Sequence, residues 1–196
     1  MLIRFSSCLA VLSARGRLLA FMNLAFFGCV FVVVVASEIF LPPPLHEGSR
    51  PSFPEMGFVG DFPIMLFSIF LFNLVLSALI VVTLPGFVFF PLSTAFLLLR
   101  AFIWGLLLSY QPTWLFLIAM PTLVIEGEGH TLAALAGINL GLSWLKPKWA
   151  YKGEGLSRSE AVRRALKDCM YTYVLVAILL FVAAVVEAAT IFLIAA

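Results

Sequence analysis

The stretch of sequence that decides the fold is Pro121–Gly141, which reads PTLVIEGEGHTLAALAGINLG. It places two carboxylates and an imidazole, those of Glu126, Glu128 and His130, inside a run that is otherwise apolar enough to cross a bilayer. A charged side chain at the centre of a spanning helix costs roughly 2.5–3.5 kcal/mol on insertion scales, so such residues usually face protein or water and mark functional sites. The stretch therefore predicts a membrane protein with a polar centre.

Composition and length place the whole chain in the polytopic membrane class. It has 196 residues, of which 63% are hydrophobic and only 11% are charged, and its mean hydropathy is +1.14. Soluble domains carry about 25% charged residues. Since each crossing needs roughly 20 residues, we expect about five transmembrane helices in a single all-α membrane domain over residues 1–196.

Apolar runs predict where the five helices lie. They cover roughly residues 18–36, 63–84, 87–109, 114–144 and 171–196. The first run is longer than the apolar region of a signal peptide, so an uncleaved first span is favoured over a cleaved signal. The Pro85-Gly86 pair is a strong turn signal and predicts a tight hairpin between the second and third spans.

Charge and proline mark the segments that flank the spans. Residues 1–17 form a basic N-terminal segment, residues 38–61 a proline-rich outer loop, and residues 146–168 a basic loop. By the positive-inside rule we expect both basic segments in the cytoplasm, which gives a multi-pass protein of the cell membrane with its N-terminus inside and its C-terminus outside. A capping-box pattern at Ser157 and Glu160 predicts a short amphipathic helix on the cytoplasmic surface.

Polar side chains interrupt the predicted spans at depths where lipid is apolar. They are Asn73, Arg100, Glu126, Glu128, His130, Asn139 and Glu187. Counting 1.5 Å per residue puts Asn73 and Arg100 roughly 18–20 Å deep, although Arg100 has the alternative of reaching the outer interface. Small residues flank Glu187, so we expect it to face a neighbouring helix. Because one arginine and two glutamates at similar depth neutralise one another, we predict a buried polar cluster.

Two forms of the fourth span are compatible with the sequence, because Gly127 and Gly129 each weaken its centre by about 1 kcal/mol relative to alanine. If the helix breaks there, two half-helices present their ends to one cavity, as in transporters, and the second N-terminus favours ionised Glu128. If it is continuous, Glu126 and His130 share a face at i,i+4 and Glu128 points away. The sequence leaves both forms open.

These residues together resemble the stage II sporulation protein M (SpoIIM) family of integral membrane proteins. The likeness rests on Pro121-x4-Glu126-x10-Gly137-x3-Gly141, on the Ala-Ala-Val-Val-Glu187-Ala motif of the last span, and on the preceding hairpin with Asn73 and Arg100; it covers roughly residues 15–196. The resemblance implies a scaffold of a membrane complex, since the founding members belong to one that remodels peptidoglycan during spore engulfment. It does not imply sporulation here, because many relatives occur outside spore formers.

A non-enzymatic membrane scaffold is the function we favour, with the lipid bilayer and other membrane proteins or further copies of the chain as partners. The alternative is a transporter or channel-like protein that moves a proton, cation or small solute through a site of Glu126, Glu128 and His130. A metalloprotease fits less well, because HExxH is absent and His130 is the sole mid-membrane histidine. Without metal-ligand spacing or a basic folded face, we expect no catalytic residue, no metal or other cofactor, and no nucleic-acid partner.

Overall fold

Helices make up nearly all of the described chain, which covers residues 5–40, 61–110 and 113–195 of a computed structural model. The elements are α1 (Phe5–Ala14), α2 (Gly16–Phe40), α3 (Phe62–Leu71), a π-helical segment (Phe72–Thr83), α4 (Leu84–Val88), α5 (Pro91–Ser109), α6 (Thr113–Leu145), α7 (Pro147–Ala150) and α8 (Arg158–Ala195). α3, the π-helical segment and α4 follow one another without interruption, and we call this unit, residues 62–88, the π rod. No strand occurs in the described residues, so the predicted all-α class is confirmed.

Four helices of the described chain are long and apolar enough to cross a membrane, namely α2, the π rod, α5 and the Arg158–Leu193 part of α8. α6 has 33 residues, and at 1.5 Å per residue it is about 50 Å long, which also suffices for a crossing. The polar residues near its centre make it less apolar than the other four. The predicted polytopic membrane fold is confirmed.

α6 lies at the centre of the bundle and contacts α2, the π rod, α5 and α8. Nearly every residue from Glu126 to Gly141 is buried. α8 runs antiparallel to it, because Gly129 lies against Leu180 while Leu140 shares a buried cluster with Ala165. Large apolar side chains are exposed on the outside of the bundle, which fits a surface that meets lipid.

The predicted turn at Pro85-Gly86 is wrong. The π rod continues helically through both residues to Val88, and the chain reverses before Pro91 opens α5. Pro85 is the second residue of α4 and has no N–H, so one backbone hydrogen bond is missing where the rod passes from π to α geometry. Gly86 serves packing instead, because a Cβ there would lie 2.9 Å from the backbone carbonyl carbon of Gly137 on α6. The pair therefore allows a close helix contact and does not bend the chain.

The basic loop is shorter than predicted, because α8 begins at Arg158 and runs unbroken to Ala195. The predicted short amphipathic helix is the beginning of the last span and not a separate element. Its capping box is present, since the Ser157 N–H donates to Glu160 Oε2 at 2.9 Å and the Glu160 N–H donates to Ser157 Oγ at 3.4 Å. No glycine or proline follows within α8, so no residue of the kind that ends helices separates the two parts.

The other flanking segments also contain helix where they are described. Within the basic N-terminal segment, α1 packs against α8, and α2 begins directly afterwards at Gly16. α2 ends at Phe40, so residues 38–40 of the predicted proline-rich loop are helical. Residues 41–60 of that loop lie outside the described residues.

Candidate functional site

The π-helical segment determines which side chains of the π rod face α6. Its hydrogen bonds reach five residues back, which gives roughly four to five residues per turn, and such segments often occur at functional sites. Residues four or five positions apart therefore share a face. The buried residues of the segment follow this spacing and are Asn73, Ser77, Ala78, Val82 and Thr83. The π geometry thus turns an amide and two hydroxyls towards the polar part of α6.

Arg100 on α5 forms the centre of the site. Its guanidinium forms an ion pair with the carboxylate of Glu126 on α6, and its Nη2 donates a hydrogen bond to Asn73 Oδ1 at 3.1 Å. The indole of Trp104, one turn further along α5, lies beside the same carboxylate. Glu126 is only 2% exposed. Arg100 therefore points into the bundle, where its charge and that of Glu126 neutralise each other, as buried membrane charges require.

A cleft of about 650 Å³ opens beside this ion pair, and we call it the lateral cleft. It lies between the π rod and α5, and its walls are mostly apolar. Its polar floor consists of Asn73, Arg100, Glu126 and Glu187. Glu187 on α8 interacts electrostatically with Arg100 and Glu126 but has no hydrogen-bond partner in the described part of the chain. The floor therefore contains two carboxyl groups and one guanidinium.

His130 connects α6 to the π rod at a neighbouring position. Its Nδ1 lies 2.8 Å from the backbone oxygen of Glu126, and its Nε2 lies 3.0 Å from Ser77 Oγ. A neutral ring that donates through Nδ1 and accepts the Ser77 hydroxyl through Nε2 satisfies both nitrogens. The side chain is fully buried. His130 thus acts as a hydrogen-bonded core residue and does not line the lateral cleft.

α6 is continuous through Gly127 and Gly129, so the half-helix form of the fourth span is wrong. The two glycines instead let neighbouring helices come close. A Cβ on Gly127 would lie 2.7 Å from the ring of Phe26 on α2, and one on Gly129 would lie 2.8 Å from the side chain of Leu180 on α8. Packing on both sides compensates for the low helix propensity of glycine.

Glu128 faces α2 and not the lateral cleft, as the continuous form predicts. Its two carboxylate oxygens each accept a hydrogen bond from Asn23 Nδ2 at 3.0 Å. Asn23 Oδ1 is buried without a hydrogen-bond partner among the described residues. Glu128 therefore forms a second polar contact, between α2 and α6, that is separate from the Arg100 site.

Asn139 lies near the end of the bundle where α6 ends and α8 begins, which we call the basic end because Arg15, Lys146 and Arg164 lie there. Its Nδ2 donates to the Tyr151 hydroxyl at 3.4 Å, and that hydroxyl donates to Asp168 Oδ2 at 2.8 Å. Burial, helped by the adjacent Asp168 carboxylate, raises the pKa of the Tyr151 phenol to about 12. The phenol therefore stays neutral and keeps its proton for donation at physiological pH.

Tyr151 also gathers two arginines at the basic end. The guanidinium carbons of Arg15 and Arg164 lie 5.4 and 5.1 Å from its ring centroid, within cation–π range. Arg15 Nη2 donates in addition to the backbone oxygen of Ala150 at 3.0 Å. Tyr151 thus connects the junction of α1 and α2, through Arg15, with α6 and α8.

We expect Tyr151→Phe to lower the free energy of unfolding by about 1–2 kcal/mol, because it leaves the Asp168 carboxylate and the Asn139 amide without the phenol. The matched control is Tyr171→Phe, which removes a phenol hydroxyl from α8 and should change stability by less than about 0.5 kcal/mol. Both are measured by reversible unfolding in mixed micelles. Equal losses in the two variants would contradict the role given to Tyr151.

Four of the seven predicted polar residues meet at the lateral cleft, and the other three lie elsewhere in the bundle. The residues that meet at the lateral cleft are Asn73, Arg100, Glu126 and Glu187. The residues that lie elsewhere are Glu128, His130 and Asn139. In the described residues, no group of three or more His, Cys, Asp and Glu side chains is placed to hold a metal ion.

Sequence reasoning missed the partners Asn23, Ser77, Trp104 and Tyr151. Asn23 carries the same signal as Asn73, an amide within an apolar run, and was findable on that basis. Ser77 lies four residues after Asn73. This separation indicates that the two side chains share a buried face only if a π-helix is already expected. Tyr151 lies in a loop, and its contacts come from residues distant in the chain, so no local pattern marks it.

Comparison with known proteins gives one family. A family model described as Stage II sporulation protein M matches residues 17–190 of the chain. A search of curated proteins and a search of solved structures each give no match. The matched range contains every residue of the polar floor of the lateral cleft.

Proposed function

The chain belongs to the stage II sporulation protein M family, and on that premise we propose that it is a non-enzymatic membrane scaffold, a subunit that holds partners within a membrane complex. A scaffold needs helices with fixed relative positions. The polar contacts of Arg100 with Glu126, and of His130 with Ser77, give such positions within the membrane. In keeping with the positive-inside rule, we place the basic end in the cytoplasm.

The observation that carries this proposal is that the most deeply buried polar groups bond within the chain. The Glu126 carboxylate accepts from Arg100, and both ring nitrogens of His130 have partners. Glu126 is 2% exposed and His130 is 0% exposed. Residues of a proton or ion pathway face a water-filled cavity, whereas the Glu126 carboxylate, although it borders the lateral cleft, is paired with Arg100, and His130 does not border the cleft. Pairing and burial support a role in fixing helix packing.

Transport is the second candidate, and two carboxylates favour it. In the described residues, Glu128 is bound by an amide and by no cation, and Glu187 has no hydrogen bond. Acids of this kind are the ones that proton pathways use. The two acids lie in different places, however. Glu128 on α6 points towards α2, whereas Glu187 on α8 lines the lateral cleft. This separation favours the scaffold.

A flux measurement decides between the two functions. We expect the protein in liposomes to give no proton, Na⁺ or K⁺ flux above protein-free liposomes under either a pH gradient or a membrane potential, because its buried acids do not form one path. Glu128→Gln and Glu187→Gln are expected to behave in the same way. An ionophore serves as the positive control. Gradient-dependent flux that Glu128→Gln abolishes would establish transport and end the scaffold proposal.

A further inference from the structure

The lateral cleft runs along the helices and not across them. Its wall on the π rod extends from Ser68 to Val82, and its wall on α5 extends from Phe96 to Leu107. At 1.5 Å per residue the α5 wall is roughly 16 Å long, about half of a hydrocarbon core of roughly 30 Å. A groove of this shape between two helices is what the side-chain ridge of a further helix fills.

The walls of the cleft expose large apolar side chains. Five such side chains line the cleft with 44% to 57% of their surface exposed, namely Phe72, Leu76, Leu99, Ile103 and Leu107. Inside a bilayer, apolar walls are satisfied equally well by lipid tails and by a helix. The walls therefore allow a helix, and the floor decides which occupant is preferred.

The floor of the cleft selects for positive charge. Arg100 is paired with Glu126 and Asn73 and acts on Glu187 only through space, so within the described residues the Glu187 carboxylate has no ion pair of its own. An acyl chain offers this carboxylate nothing. Lipid headgroups lie at the interface, whereas Glu187 shares the cleft with Arg100 and Glu126, which lie near the middle of α5 and α6. A lipid is therefore a poor match for the floor.

A second copy of the chain is also a poor match. Among the described residues, Arg100 is the one cation at the depth of the cleft, and it is already paired within its own chain. Lys167, the basic residue furthest along α8, is separated from Glu187 by roughly 30 Å of helix. The described part of a copy inserted with the same orientation thus brings no available cation to the floor.

We propose that the lateral cleft is the docking site for a transmembrane helix of a different protein, and that this helix carries a lysine or arginine at the depth of Glu187. The apolar ridge of the partner helix packs between the π rod and α5, while its long basic side chain reaches the floor and pairs with Glu187. This inference rests on the proposed scaffold function, because it names the kind of subunit that the scaffold holds.

Designed peptides test the charge requirement directly. The probe is a labelled leucine–alanine helix of about 21 residues with one lysine at the depth of Glu187, compared with the same peptide carrying leucine there. Binding to the labelled full-length chain in vesicles is followed by energy transfer. We expect the lysine peptide to bind at least about tenfold more tightly than the leucine peptide, because an unpaired charge in lipid gains strongly from a partner.

Three variants locate the binding. Glu187→Gln keeps the shape of the side chain and is expected to reduce the preference for lysine to less than about twofold, since the ion pair is lost. Ile103→Trp places a larger side chain in the cleft and should weaken binding of both peptides, because less space remains for a helix. Val32→Trp, on an exposed face of α2 away from the cleft, is the matched control and should change neither. Melting of each variant confirms that it is folded.

Several outcomes would overturn the inference. Equal affinity for the two peptides, absence of binding, or an undiminished preference in Glu187→Gln would each refute recognition of a cation. Energy transfer between copies of the chain that Ile103→Trp abolishes would assign the cleft to a second copy. A co-purified lipid that Glu187→Gln releases would assign it to lipid. None of these outcomes involves ion flux, so each leaves the scaffold proposal to be judged separately.

Discussion

Arg100→Leu is expected to lower the free energy of unfolding by about 3–5 kcal/mol, because it leaves the Glu126 carboxylate buried without a cation. The substitution also removes the hydrogen bond to Asn73 Oδ1, whereas the hydrogen bond from Ser93 Oγ to the Val82 backbone oxygen still joins α5 to the π rod. Unfolding is measured by titration with a denaturing detergent and followed by tryptophan fluorescence, since Trp104 adjoins the site.

A double-mutant cycle separates the ion pair from the loss of side-chain packing. We expect Arg100→Leu combined with Glu126→Met to be more stable than Arg100→Leu alone, because no buried charge remains. The coupling energy should be of the order of 2–3 kcal/mol, as for residues in direct contact. If the two substitutions were additive, the ion pair would not contribute to the stability of the bundle.

Gly141→Ala is expected to lower the free energy of unfolding by at least about 2 kcal/mol, through overpacking between α6 and α4. A Cβ at this position would overlap the backbone oxygen of Gly86 and would lie 2.9 Å from Phe90 Cβ. Backbone atoms cannot rotate away as a side chain does, so the two helices must separate. Gly137→Ala should act in the same direction, since its Cβ would lie 2.8 Å from the backbone oxygen of Thr83.

Gly28→Ala is the matched control for the glycine variants. Gly28 lies inside α2, and a Cβ there would meet no atom within 4 Å. Alanine has the higher helix propensity, so this variant should be more stable than the wild type by about 0.5–1 kcal/mol. The same unfolding titration compares the two. Similar stability of Gly28→Ala and Gly141→Ala would mean that α6 does not need the close approach to α4.

The Arg100 variants and the glycine variants test two different contacts of α6. Gly137 and Gly141 determine how closely α6 approaches the last turns of the π rod, which include α4. Both glycines lie towards the basic end. The Arg100 ion pair determines which faces of α5 and α6 meet further into the membrane. We expect the effects of Arg100→Leu and Gly141→Ala to be nearly additive, because the two sites share no contact partner.

Several features of the fold and site follow from the sequence alone. A mean hydropathy of +1.14 excludes a soluble core, and the apolar runs predict the five long helices to within a few residues at most ends. The i,i+4 spacing of Glu126 and His130 predicts their shared face and the opposite direction of Glu128, once the helix is taken as continuous. Hydrophobicity and helical periodicity are local properties, so one chain segment suffices to determine them.

Tertiary contacts decided the remainder. Pro85-Gly86 is compatible with a turn and with a helix start, and the approach of α6 to Gly86 selected the helix. Gly127 and Gly129 are compatible with a break, and the packing of Phe26 and Leu180 against them kept α6 whole. Where a sequence permits two backbone conformations of similar free energy, contacts between residues distant in the chain determine which one forms, and no local pattern contains that information.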